Sequence, residues 1–172
     1  MAHFRGEELY ALGGRAFLVL NLAPVGCYPS FLVGLPPSEL DAFGCSISYN
    51  NAVVDYNNML KEALRQTRGS LPNASLIYVD TSSGSSMDQS MLWAWPVAYN
   101  NFEPKVFCGN TKVINGRTVT ATASSDPSNY VSWDGVHATE AANKLVTWAI
   151  LDGSYSDPPF PFHDFCDLQP LN

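Results

Sequence analysis

The stretch RAFLVLNLAPVGCYPS, Arg15–Ser30, decides the fold class. From Ala16 to Leu22 every residue but Asn21 is apolar, and Pro24, Gly26 and Pro29 stop the run. A short apolar run closed by turn formers reads as a buried strand over Ala16–Leu22, followed by an irregular loop. Beyond the loop lies ISYNNAVVDYNNMLKEALRQTRG, where Tyr49, Val53, Tyr56, Leu60 and Leu64 recur at spacings of four, three, four and four. That spacing puts them on one helical face. Ser46 or Ser48 is a candidate cap, Arg65 and Arg68 suit the last turn, and Gly69 ends it. SLIYVDT, from Ser75 to Thr81, then reads as a second short central strand. Strand, helix, strand in that order predicts an α/β domain with a parallel sheet.

The connecting loop is about twenty residues long and rich in proline and glycine, a length at which loops are often functional or tied down. Cys27 and Cys45 flank it, and a bridge between them would contribute on the order of 3 kcal/mol. The remaining cysteines are Cys108 and Cys166, and no C-x-x-C pair occurs, which argues against zinc and redox motifs. An even, scattered set fits disulfides in an oxidising compartment. PNAS makes Asn73 a glycosylation candidate, a second hint of the secretory route.

From Ser82 to Asp126 the pattern is less regular. SSGSSMDQS reads as a polar loop, and MLWAWPVAYNNFEP is aromatic without a period. KVFCGNTKVINGRTVTATA holds a hairpin turning at Asn115–Gly116. TEAANKLVTWAIL resumes a helix with Thr139 as cap and Ala141, Leu145, Trp148 and Ala149 inward. The tail, SYSDPPFPFHDFC, is too rich in proline for helix or sheet.

A chain of 172 residues with 46% apolar composition is a globular, one-domain length, and no internal repeat or domain boundary is visible. The net charge of −7 argues against nucleic acid as a partner. No apolar run approaches the roughly 20 residues that span a bilayer. The opening MAHFRGEELYALGGR lacks the apolar core of a signal peptide.

The chemistry concentrates in SNYVSWDGVHATEAANKL, where Asp134 and His137 stand three apart. Asp-x-x-His alone is more often a turn opener beside a helix start. Its alternative use is specific: through a tight turn the aspartate reaches the near ring nitrogen, fixes the tautomer, and leaves the far nitrogen to take a proton from a nucleophile. Gly135 lets such a turn close. His3 and His163 are isolated, so a metal role for them is not indicated.

The surrounding residues tip the balance. WDGVHATEAAN resembles the last block of the plant GDSL esterase/lipase family, within the SGNH hydrolases. NLAPVGCYPS is similar to that family's G-P-L-G-C-x-P segment, SLIYVD to its next strand, and SDPPFP to its C-terminal tail. The likeness is greatest to the extracellular branch of early-nodulin-like and α-fucosidase-like members. The resemblance implies a three-layer, flavodoxin-like α/β fold, of which residues 1–172 would be the C-terminal part of a single domain. It implies hydrolysis or transfer of a small-molecule acyl ester through a Ser-His-Asp triad, with Asp134 and His137 from this chain. It also implies secretion and needs no metal or organic cofactor; oligomeric state is not legible.

The family's Gly-Asp-Ser nucleophile block and its glycine and asparagine oxyanion blocks have no counterpart here. The serines of DTSSGSSMDQS, including Ser83, Ser85 and Ser86, lack the strand–turn–helix context of a nucleophile. A catalytically inactive piece that binds or supports structure is therefore the alternative reading. Relatives carry a double-cysteine, glycine-rich segment where this chain has Met91–Cys108, and a serine replaces the cysteine before the DP of SSDP. Cys108 thus lacks its family partner.

Overall fold

The computed structural model describes residues 6–82, 106, 109–122, 126–134, 136–153 and 155–160. Its helices are α1 (Gly6–Ala11), α2 (Pro29–Leu32), α3 (Ile47–Arg68) and α4 (Glu140–Asp152). The strands are β1 (Ala16–Leu20), β2 (Ser75–Val79), β3 (Thr111–Ile114), β4 (Arg117–Thr120) and β5 (Ser156–Asp157). The chain divides into two compact units, one of Met1–Ala23, Ala52–Ser83 and Thr147–Asn172, the other of Pro24–Asn51 and Gly84–Val146.

In the first unit β1 and β2 pair in parallel, Ala16 with Ser75 through Leu20 with Val79, across the crossover that contains α3. β5 adds antiparallel to β2, giving the order β1-β2-β5. The strand–helix–strand expectation therefore holds, and the fold is α/β. One face of the sheet packs Phe17, Leu76 and Tyr78 with Leu64 and Leu71, and Leu60, Val19 and Tyr10 close the rim. At the end of α3, Arg68 donates to the carbonyls of Leu76 and Asp157, and Lys61 pairs with Asp157 at 3.3 Å. The helix thereby clamps both strands.

The face of α3 is shifted from the one the sequence predicts. Val53, Asn57 and Leu64 are buried, while Tyr49 and Tyr56 are exposed. Asn57 is 5% exposed against 41% for Tyr56. The reason is a demand from the backbone: Asn57 Oδ1 accepts from the Leu22 N–H at 2.9 Å, and its Nδ2 donates to the Leu22 carbonyl at 2.8 Å. Backbone leaving a strand needs new partners, and an amide side chain serves the N–H and the carbonyl of one residue at once.

β1 also ends earlier than predicted. The Asn21 N–H still bonds the Val79 carbonyl at 3.0 Å. Its side chain, however, turns into a polar cluster at the carboxyl ends of the two strands. Nδ2 donates to Tyr78, Asp80 and Ser82, and Oδ1 accepts from the N–H and hydroxyl of Thr81.

In the second unit, the stretch read as an irregular loop contains two short 3-10 turns and α2, with Pro29 in its first turn. Cys27 and Cys45 form a disulfide across it. Asn50 accepts from the Gly26 N–H at 3.0 Å and lies against Cys27 Sγ at 3.5 Å. Ser46 precedes α3 and its Oγ faces the Tyr49 N–H at 3.5 Å, a long capping contact. A Cβ at Gly26 would stand 2.6 Å from Asn50 Oδ1 and 2.7 Å from the Ser46 carbonyl oxygen. Because one of these neighbours is backbone, Gly26→Ala is expected to destabilise by about 1–3 kcal/mol, the usual cost of overpacking, read as a lower urea midpoint.

β3 and β4 form the hairpin the sequence predicts, with Asn115 and Gly116 both at positive φ, 50° and 76°. Such a two-residue turn matches the twist of the strands it joins. α4 spans the predicted helix, but Ala142 is its buried residue, and Leu145 and Trp148, expected inward, are exposed. No helix among the described residues is long and apolar enough to cross a membrane. Gly135, Ser83, Ser85, Ser86, Met91–Phe102, His3, His163, Cys108 and Cys166 lie outside the described residues.

Candidate active site

Asp134 and His137 belong to a loop closed on itself just before α4. Ser132 and Ala138 form an antiparallel bridge, and the Trp133 N–H donates to the His137 carbonyl at 3.3 Å. Thr139 anchors the far end. Its hydroxyl donates to the Tyr130 carbonyl at 2.5 Å and accepts from the Ala142 N–H at 3.2 Å, and its own N–H donates to Val131 at 2.8 Å. Thr139 is thus both the cap of α4 and the tie between the two stems of the loop. His137 takes no part in capping.

Inside the loop, Asp134 uses its two oxygens differently. Oδ1 accepts from the N–H groups of Val136 and His137 at 2.9 and 2.6 Å, the turn-opening role the residue type favours. Oδ2 lies 2.5 Å from His137 Nδ1. The turn and the acid–base pair are therefore not rivals, because one carboxylate serves both. A carboxylate can only accept, so it selects the tautomer with hydrogen on Nδ1 and leaves the lone pair on Nε2.

Electrostatics follow the geometry. Burial pushes the Asp134 carboxyl up, but the N–H of His137, its ring, the N–H of Val136 and the charge on His137 together outweigh burial. The carboxyl settles below its ordinary value. The side chains differ sharply in exposure, 13% for Asp134 and 69% for His137, so a half-sequestered anion holds a ring presented to solvent. Trp133 stacks against that ring, with centroids 6.0 Å apart and planes 22° from parallel. Sequence reading passed over this contact, though Trp133 is the immediate neighbour of Asp134. Among the described residues, no group of three or more His, Cys, Asp or Glu is placed to hold a metal ion.

Thr139→Val tests the anchor. It keeps the shape but removes both hydroxyl bonds from a residue 2% exposed. The expected loss is about 1–3 kcal/mol of stability, with the Ala142 amide exchanging faster.

Compared with known proteins, residues 4–150 match the GDSL-like Lipase/Acylhydrolase family. The chain belongs to that family. GDSL esterase/lipase At4g01130 of Arabidopsis thaliana is 49% identical over 178 residues, a match that takes in 93% of this chain and 46% of that protein. GDSL esterase/lipase ENOD8 of Medicago truncatula is 34% identical over 169 residues, covering 93% of this chain and 44% of its own length. GDSL esterase/lipase ACHE of Zea mays is 35% identical over 175 residues, with shares of 93% and 44%. The chain spans about half the length of the curated relatives it matches. Membership carries the SGNH hydrolase fold, in keeping with the parallel pair of β1 and β2 and the α3 crossover.

Proposed function

We propose that this GDSL chain supplies the Asp–His part of a Ser-His-Asp triad for hydrolysis or transfer of a small-molecule acyl ester. The observation that carries this reading is the bond from Asp134 Oδ2 to His137 Nδ1 at the entry to α4, in a chain of this family. In this role His137 Nε2 takes the proton of a serine hydroxyl as it attacks the ester carbonyl. Asp134 stabilises the imidazolium that forms, and the proton then passes to the departing alcohol. Water repeats the sequence on the acyl-serine, which releases the acid.

The serine comes from outside these 172 residues, since the sequence holds no Gly-Asp-Ser triplet. Residues 1–172 are then the C-terminal part of a single catalytic domain. Secretion and a glycan at Asn73 belong to the same proposal. The Cys27–Cys45 bridge and the exposed turn that carries Asn73 support it. Mass mapping of the protein from a eukaryotic secretory host, with and without glycosidase, tests both features. A free Cys27 thiol, or an unmodified Asn73, would count against the corresponding part.

The lack of a nucleophile block favours a second reading, an inactive member that binds or scaffolds. A p-nitrophenyl ester assay separates the readings. Residues 1–172 alone are expected to turn over at the buffer rate. The same chain co-expressed with the portion of the Arabidopsis relative that it does not match should give turnover blocked by a serine-directed phosphonate. A folded but inert assembly would favour the scaffold.

A further inference from the structure

Asp134 fixes one atom of the His137 ring and leaves the plane of the ring to another neighbour. The contact at Nδ1 selects the tautomer, but a ring held at one atom can still swing about that contact, and 69% of the His137 side chain is exposed. The plane matters because the Nε2 lone pair lies in it. Tilting the ring therefore aims the lone pair away from the proton it has to accept.

Trp133 stands where that plane can be set. The bridge between Ser132 and Ala138 puts Val131 opposite Thr139 on one side and Trp133 opposite His137 on the other. The backbone bonds keep this register, from the Thr139 N–H to the Val131 carbonyl at 2.8 Å and from the Trp133 N–H to the His137 carbonyl at 3.3 Å. Residues directly opposite in an antiparallel pair project to the same face, with Cβ atoms about 4.5–5.5 Å apart. The register itself thus brings indole and imidazole together, and they meet as a stack, with centroids 6.0 Å apart and planes 22° from parallel. Trp133 is 39% exposed, so most of its surface is covered while the ring it braces is open to solvent.

We propose that Trp133 is a positioning residue for the base: its indole sets the plane of the His137 ring, as Asp134 sets its tautomer. The inference rests on the proposed function, in which Nε2 takes the serine proton. Because the indole acts through the ring, its loss should lower kcat and leave KM nearly unchanged. A misaimed base of this kind costs about ten- to a hundredfold in rate.

Two measurements test this, one on the 172-residue chain and one on the assembly co-expressed with the unmatched portion of the Arabidopsis relative. In proton NMR of the chain, the His137 ring signals, identified by their loss in His137→Ala, should show contacts with indole protons. They should shift in Trp133→Ala, while the Thr139 and Ala142 amides keep their hydrogen-exchange protection, because the bonds of the loop do not use the indole. In the assembly, Trp133→Ala should lower kcat for a p-nitrophenyl ester about ten- to a hundredfold at nearly constant KM. Trp133→Phe, which keeps an aromatic face, should restore most of that loss; it also serves if the alanine variant unfolds, since its ring still shifts the His137 signals. Absence of indole–imidazole contacts would overturn the proposal, as would lost protection at Thr139 and Ala142, which would mark a merely structural role. A raised KM at constant kcat would overturn it too, by placing the indole against substrate. Full turnover in Trp133→Ala with none in His137→Ala would overturn the positioning role and keep the triad. Turnover indifferent to both would overturn the triad reading, and the positioning role would fall with it.

Discussion

In a GDSL enzyme assembled around this chain, His137→Ala is expected to lower ester turnover by about a millionfold, the scale on which loss of a triad histidine acts in serine hydrolases. The size of the effect follows from the role proposed for the ring. A serine hydroxyl is a weak nucleophile, and Nε2 must accept its proton during attack and return it to the leaving alcohol. His137 is the one histidine among the described residues. The ring is largely solvent-exposed and its backbone bonds do not depend on the imidazole, so folding should be nearly unchanged. Matched thermal melts with collapsed turnover would confirm a chemical effect. Retention of even a hundredth of the rate would show that the base lies elsewhere.

Asp134→Asn is the second large effect, with an expected loss of about ten-thousandfold in turnover. The amide keeps the size of the side chain and still accepts at Oδ1 from Val136 and His137, so the turn should survive. What changes is the atom facing Nδ1. An amide nitrogen placed there donates, which selects the opposite tautomer and leaves Nε2 protonated and useless as a base. The same substitution has a signature in stability against pH. Because the Asp134 carboxyl is held below its ordinary value, the folded loop binds fewer protons than the unfolded chain. Its stabilising contribution is complete above the unfolded carboxylate pKa of about 3.9, and it is lost as pH falls through the lower folded value. The asparagine variant should lack that acid-side loss, as seen in urea midpoints measured across the acid range.

The parts of this molecule that were legible from sequence are those set by local chemistry. β1, α3 and β2 follow from apolar runs and punctuation, the hairpin from Asn115–Gly116, and the start of α4 from Thr139. The misreadings are of another kind. Helical spacing ranked Tyr56 above Asn57 because hydropathy favours tyrosine, whereas the N–H and carbonyl of Leu22 are met by an amide. Asn21 looked like an interruption in a strand and is instead the centre of a polar cluster with Tyr78, Asp80 and Ser82. Buried polar partners are set by what the chain meets tens of residues away, and no periodicity encodes that. Leu145 and Trp148 on α4 show the same limit: the period identified the apolar positions, but packing selected Ala142 as the buried one. At the site, the spacing of Asp134 and His137 left the turn-opening reading ahead until the resemblance of WDGVHATEAAN tipped the balance, and the structure adds that one carboxylate both opens the turn and holds the ring.

The most direct measurement is mass-spectrometric mapping of a fluorophosphonate probe on the co-expressed assembly, with the wild-type chain and with His137→Ala. The account predicts one labelled serine, located on the partner polypeptide, with labelling lost in the alanine variant and no label anywhere in residues 1–172. A labelled serine within this chain, or labelling indifferent to His137, would contradict it.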